Sequence, residues 1–224
     1  MNALVFPNPM MSSQYVQYGC GWHAPREWRN FDSSPTLRFE RMPLLGRLYA
    51  RNDRRFPANV EYGDIVKGLP VGPESVTGVY CSHILEHLCL EDCRAALRNT
   101  YQVLRSGGVF RFVVPDLEFL VREYLDNGSS EAALAFMKET GLGHENRRYS
   151  LPRFLASWLG GSQHLWMWDY KSIESELRDA GFVAIRRAYL HDSSNPMFTE
   201  IEDRSRWDNC LGVECRKHDA ALSG

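Results

Sequence analysis

The sequence predicts an α/β layered fold with a mostly parallel sheet, on three observations. Short apolar runs ending in glycine, aspartate or proline alternate with helical patterns along most of the chain. An amphipathic helix over residues 91–105 falls directly between two such runs. The run after it, "VFRFVVPD", is apolar enough to be buried on both faces, as a strand covered by helices on either side must be.

The elements follow in order. "YVQYGCG" is a short first strand ending in glycines, and "REWRNFDSSP" a second, stopped at Asp32 by a Ser-Ser-Pro turn. A helix is expected over about 36–49, then "NVEYGD" as a third strand ending in Gly63 and Asp64. "SVTGVYCS" is the fourth, and "CSHILEHL" overlaps its end. In the helix over 91–105, Cys93, Ala96, Leu97, Thr100, Tyr101 and Leu104 share one face and Arg94, Arg98 and Arg105 the other; Gly107 and Gly108 are expected to end it. "VFRFVVPD" is the fifth strand, stopped by Pro115. Residues 117–168 break the alternation and read as helices and loops, including "TGLGHENRRYS" and "SQHLWMWD". A helix capped by Asp169 runs to Ala180 with Tyr170, Ile173 and Leu177 on one stripe, and Gly181 closes it. "FVAIRRAYL" and "NCLGVECRK" are two late strands joined by a long polar loop.

Composition narrows the function classes. The 224 residues suffice for one large domain, so 1–224 reads as a single unit. With 44% apolar and 24% charged residues the chain is ordinarily globular. A net charge of −2 gives no reason to expect a nucleic-acid or membrane partner; the clusters Arg51, Arg54, Arg55 and Arg147, Arg148 read as solvated faces. The opening "MNALVFPNPMMSSQ" lacks the charge and apolar core of a secretory signal, and no apolar run is long enough to span a bilayer. Six cysteines without a C-x-x-C pair, with Cys89 and Cys93 as small helix hydrophobes, fit reduced thiols in a cytoplasmic protein. Nothing bears on oligomeric state.

In such a sheet, ligands bind beyond the carboxyl ends of the strands. The residues there are Gly19-Cys20-Gly21, Asp32, Gly63-Asp64, Ser82-His83 and Pro115-Asp116. Glycines after the first strand and an acid after each of the next two suit a nucleoside: one carboxylate accepts from a ribose diol, the other from an exocyclic amine. A dinucleotide fingerprint needs a third glycine opening a helix and an acid roughly 20 residues on. Here the third glycine is missing and Asp32 falls thirteen residues after Gly19, which leaves no room for a full helix to hold a pyrophosphate. The expected ligand lacks phosphates, as S-adenosylmethionine does.

At this point the sequence resembles a known family. "YGCGWHAPREWRNFDSSP", "NVEYGDI", "VYCSHILEHL", "LRNTYQVLRSGGVFRFVVPDLE" and "HLWMWDYKSIESELRDAGF", in that order, are similar to class I S-adenosylmethionine-dependent methyltransferases, of the methyltransferase-11-like bacterial group. The resemblance spans roughly residues 15–216 and implies a Rossmann-like sheet whose last strand, "CLGVECRK", is antiparallel, with a helical lid inserted at about 117–168. It implies that Gly19, Cys20 and Gly21 pass under the methionine moiety. Asp32 would hold the ribose, and Asp64 with Ile65 the adenine. Cys81, Ser82 and His83 would line the other side. Gln17 stands where many members of the class carry an acid.

His83-x-x-Glu86-His87 also matches the H-x-x-E-H pattern in which two histidines on one helical face hold zinc. Its position against a strand argues for a strand-to-helix turn instead, with Glu86 and His87 stabilising that turn. The expectation is that no metal is bound; the alternative is a divalent ion on His83, Glu86 and His87. Methyl transfer from a sulfonium is an in-line displacement dominated by alignment. A hydroxyl acceptor also needs a base, for which His83 is the first candidate and His164 the second. Trp166 and Trp168 either stack on the acceptor or anchor the lid, and Asn195, Met197 and Phe198 are weaker lid candidates. The reading is methyl transfer to a small molecule or glycan precursor, at oxygen. The alternative is a non-catalytic regulator or partner subunit that binds S-adenosylmethionine on the same scaffold.

Overall fold

The computed structural model describes residues 14–42, 55–143 and 163–219. Seven strands form one sheet: β1 (Tyr15–Tyr18), β2 (Arg29–Asp32), β3 (Val60–Tyr62), β4 (Val76–Ser82), β5 (Leu104–Pro115), β6 (Phe182–Ala188) and β7 (Cys210–Lys217), in the order β3-β2-β1-β4-β5-β7-β6. β1 to β5 pair in parallel, and β7 runs antiparallel between β5 and β6. The sheet order reverses between β1 and β4, which opens a crevice at their carboxyl ends.

The alternation of side chains along β5 divides the interior in two. Phe110, Phe112 and Val114 point into the larger core, where Cys93, Ala96 and Leu97 of α2 (Leu90–Val103) and Ile173 and Leu177 of α5 (Tyr170–Asp179) cover them. Val109 and Val113 point the other way, onto Trp28, Tyr80, Phe198 and Trp207. Arg111 shares that second face. It is fully buried and ion-paired with Glu202, Glu214 and Asp192, with Trp207 against its guanidinium.

The helix over 91–105 differs from expectation at its end. α2 stops at Val103, and Leu104 is already extended and paired with Val76. The next pair is Gly78 with Val109, so residues 105–108 bulge out of β5, with Gly107 at φ +69°. These glycines serve a strand irregularity and not a helix cap. α5 starts as expected: Asp169 and Ser172 form a reciprocal capping box, and Gly181 follows at φ +99°.

The helix expected over 36–49 is observed as α1 (Pro35–Glu40), and the rest of that span lies outside the described residues beyond Met42. The expected insertion contributes α3 (Leu117–Asp126) and α4 (Ala132–Glu139), which pack on each other, whereas 144–162 are likewise outside the described residues. Trp168 closes the region with a bridge to Asp116 and is buried in the larger core. Among the described residues no helix is long and apolar enough to cross a membrane.

Candidate cofactor and acceptor site

At the carboxyl ends of β1, β2 and β4 lies a cavity of about 680 Å³, within the roughly 300–1,000 Å³ usual for small-molecule sites. The loop after β1 forms its floor. Gly19 and Gly21 both take positive φ, +66° and +53°, which glycine adopts without steric cost. Their other roles differ. A Cβ on Gly19 would lie 1.9 Å from Ile84 Cδ1, whereas one on Gly21 would meet nothing within 4 Å. Gly19 is thus needed for packing, and Gly21 leaves its backbone open to the cavity.

Asp32, at the end of β2, binds this loop. One carboxylate oxygen accepts from the Gly21 N–H at 2.9 Å and the other from the Ser34 N–H at 2.8 Å. Burial raises its pKa, and those two N–H groups oppose the rise. An ionised carboxylate has about four acceptor sites, so a diol finds sites left on both oxygens. Gln17 donates from its amide to the His23 carbonyl at 2.6 Å, which secures the far end of the loop. Cys20 also lines the cavity, and burial beside Asp32 pushes its thiol up to about 12, so it is protonated and unreactive near neutrality.

Three further residues named from the sequence lie outside the lining of this cavity. Cys81 points into the larger core beside Tyr18, so only its backbone reaches the end of β4. Ile65 is buried in the same core, its carbonyl accepting from Asn99 Nδ2 at 2.7 Å. Asp64 accepts from the Val66 N–H and pairs with Lys67 Nζ at 2.9 Å, outside the lining of this cavity. Ser82 and His83 do line it, together with Gly19, Cys20, Gly21 and Asp32.

The opposite wall comes from a segment the sequence reading passed over. Arg206 donates from Nε to the Ser82 hydroxyl at 2.6 Å and from Nη2 to the Ser82 carbonyl at 2.9 Å. Ile201 and Asp203 stand beside it. No local signal marks Arg206, because its partner is 124 residues away. Phe198, named as a lid candidate, is a core residue packed on Trp28 and Tyr80. Asn195 binds Tyr15, and Met197 packs on that second core. Trp168 is buried in the core as an anchor, and Trp166 is exposed.

His83 leaves β4 in the left-handed conformation at φ +54°, which turns the chain at once into the 3-10 turn Leu85–His87. Its Nε2 faces the Arg206 carbonyl at 2.9 Å and its Nδ1 lies 3.2 Å from Glu86 Oε1. Burial pulls its pKa down, but the Cys210 sulfur, the Glu86 carboxylate and the Arg206 carbonyl together raise it to about 10. Facing a carbonyl, Nε2 donates its proton there and offers no lone pair to an acceptor.

Glu86 is fully buried, and neither carboxylate oxygen has an aligned hydrogen-bond partner among the described residues. The His83 contact has ion-pair distance without hydrogen-bond alignment. The Glu86 carbonyl accepts from the Leu165 and Trp166 N–H groups, which brings His164 to within 4.9 Å of the His87 ring, centroid to centroid. His87, read from the sequence as stabilising the turn or, alternatively, holding a divalent ion, lines the cavity.

A parallel sheet with this strand order and an antiparallel β7, with a cavity over a glycine loop and an acid, has the class I methyltransferase fold. Residues 43–112 match the family model described as a methyltransferase domain. That match covers 70 of the 224 residues, and the sheet has the class I methyltransferase topology. Similar solved structures include an S-adenosylmethionine-dependent methyltransferase from Methanosarcina mazei, 16% identical at a TM-score of 0.49, covering 92% of this chain and 92% of that one. Another, from Archaeoglobus fulgidus, is 14% identical at 0.47, covering 91% and 85%. A third, from Mesorhizobium loti, is 20% identical at 0.46, covering 91% and 90%. None of the curated proteins matches the chain.

Proposed function

We propose that the chain methylates a small molecule or glycan precursor, at oxygen. The single observation that carries this reading is the cavity itself, with the Asp32 carboxylate and the open Gly21 backbone at one end and histidines at the other. Asp32 takes the ribose hydroxyls, and Gly19, Cys20 and Gly21 pass under the methionine moiety. Ser82 and His83 close the opposite side. Asp64 and Ile65 would reach the adenine from the rim, Ile65 through its backbone. S-adenosylmethionine supplies an electrophilic methyl group; the protein's part is to align an acceptor with it and exclude water.

Of the two histidines proposed as base, His164 has the better geometry. Its Nδ1 lies 2.8 Å from the Thr140 carbonyl, a contact that requires a proton on Nδ1 and leaves the lone pair of the neutral ring on Nε2. His83 acts as a donor that shapes the wall. An acceptor with its own hydroxyl fits this end because an imidazole is the side chain suited to take its proton.

Calorimetry tests the donor assignment. S-adenosylhomocysteine should bind and NAD should not; NAD binding the more tightly would overturn it. Methyl transfer to hydroxyl acceptors, assayed with labelled donor, separates an enzyme from a non-catalytic binding subunit.

A further inference from the structure

We propose that Glu86, His87 and His164 bind one divalent transition ion of the kind that takes imidazole nitrogen, zinc foremost, at the wall of the cavity. One ligand atom from each of the three lies within 4.8 Å of the others. Donors around zinc at about 2.0–2.2 Å are roughly 3–3.5 Å apart, so small side-chain rotations close the set.

Three independent features point to an ion. The first is Glu86, a carboxylate buried to 0% exposure with no aligned hydrogen-bond partner among the described residues. Burying such a group without a partner is costly, and a cation is the strongest compensation. The second is the pair of imidazoles. His87 Nδ1 is held by the Gln163 carbonyl at 3.1 Å and His164 Nδ1 by the Thr140 carbonyl at 2.8 Å. A backbone carbonyl on one ring nitrogen fixes the tautomer and presents the other nitrogen's lone pair, the usual outer arrangement of metal-bound histidine. The third is the donor set: two nitrogens and one carboxylate oxygen suit zinc and its transition neighbours, whereas magnesium and calcium favour all-oxygen sites.

The ligand set departs from the one the sequence offered. His83 is diverted, with Nε2 on the Arg206 carbonyl, and orients Glu86 from outside. His164 takes its place from 78 residues beyond Glu86, brought there by the hydrogen bonds from Leu165 and Trp166 to the Glu86 carbonyl. Three protein ligands leave coordination positions open, as catalytic and not structural sites do. His87 lines the cavity, so an open position would meet an acceptor oxygen, a role that rests on the methyl-transfer reading and replaces His164 as base, since its Nε2 then holds the ion.

The full chain, stripped with a chelator, is titrated with Co²⁺ followed by visible absorption and with Zn²⁺ and Mg²⁺ by calorimetry. One Co²⁺ per chain with d–d bands is expected, with Zn²⁺ bound at least a hundredfold more tightly than Mg²⁺. His87→Ala and His164→Ala should each weaken Zn²⁺ at least tenfold while their circular dichroism is unchanged, and Glu86→Gln tests the carboxylate without changing its shape. Absence of d–d bands, or Zn²⁺ affinity unchanged in both histidine variants, overturns the site. S-adenosylhomocysteine affinity on the same preparations separates the two readings. Its binding without Zn²⁺ binding sinks the metal site alone; Zn²⁺ held by these residues without it supports the site and removes the methyl-transfer reading.

Discussion

The main-chain N–H of Gly21 donates to the carboxylate of Asp32 at 2.9 Å, so the acid that faces the cavity also holds the glycine loop beneath it. Asp32→Ala removes both roles at once. Loss of a charged acceptor is worth about 1.5–3 kcal/mol, so S-adenosylhomocysteine affinity should fall tenfold or more, read by calorimetry. An unchanged dissociation constant would take Asp32 out of the site.

Acid should weaken the cofactor through the same group. Burial raises the pKa of Asp32, with the Ser34 and Gly21 N–H groups opposing. A raised carboxylate loses its charge at a higher pH than an ordinary one, and its folded-state contribution to stability is fully present below the unfolded pKa and lost as pH rises through the folded value. Donor affinity should therefore drop on acidification before exposed carboxylates titrate, while this group alone makes the apo-protein slightly more stable. An affinity flat down to the ordinary aspartate range of about 3.9 contradicts this.

Gly19→Ala should destabilise the fold by about 1–3 kcal/mol, through φ strain and a forced rotation of Ile84. In the background of Ile84→Ala the added methyl has room, so the cost of the glycine change should fall while the φ component stays. Urea midpoints of the two single variants and the double variant measure it; simple additivity would show that Ile84 is not the obstacle.

Arg111→Met should cost about 3–5 kcal/mol, because it strands the fully buried Glu202 and the nearly buried Glu214 without their cation. Arg29→Ala, which breaks an ion pair on the surface with Glu61, should cost under about 1 kcal/mol. Denaturant unfolding compares the two, and equal losses would contradict the assignment of Arg111 as the buried centre of its network.

Asp169→Ala should cost about 0.5–2 kcal/mol by removing the cap of α5. The Ser172 hydroxyl and N–H depress the Asp169 pKa. A depressed carboxylate contributes stability that is present above its unfolded pKa and lost as pH falls through the folded value. The difference between wild type and variant should thus vanish in strong acid; a difference independent of pH would mean the cap does not act through its charge.

What the sequence determined by itself is local in origin. Strand ends, the glycine loop, the Asp169 cap and the buried face of α2 are written in residues a few positions apart, and period and turn chemistry suffice to read them. The ligand end of the sheet follows from those strand ends, and Gly19, Cys20, Gly21, Asp32, Ser82 and His83 lie together there. Tertiary structure decided the rest. Cys81 and Ser82 are consecutive, and only the pairing of β4 with its neighbours settles which one faces the core, since a strand buried on both sides shows no alternation to reveal it. The same holds for the bulge at Gly107, which belongs to the register between β4 and β5. Arg206 on Ser82, and His164 beside Glu86, are meetings across long stretches of chain. Such contacts arise from how layers pack and not from any spacing along the sequence, so the H-x-x-E-H string by itself pointed to His83 as the companion of Glu86 and His87, where the folded chain supplies His164.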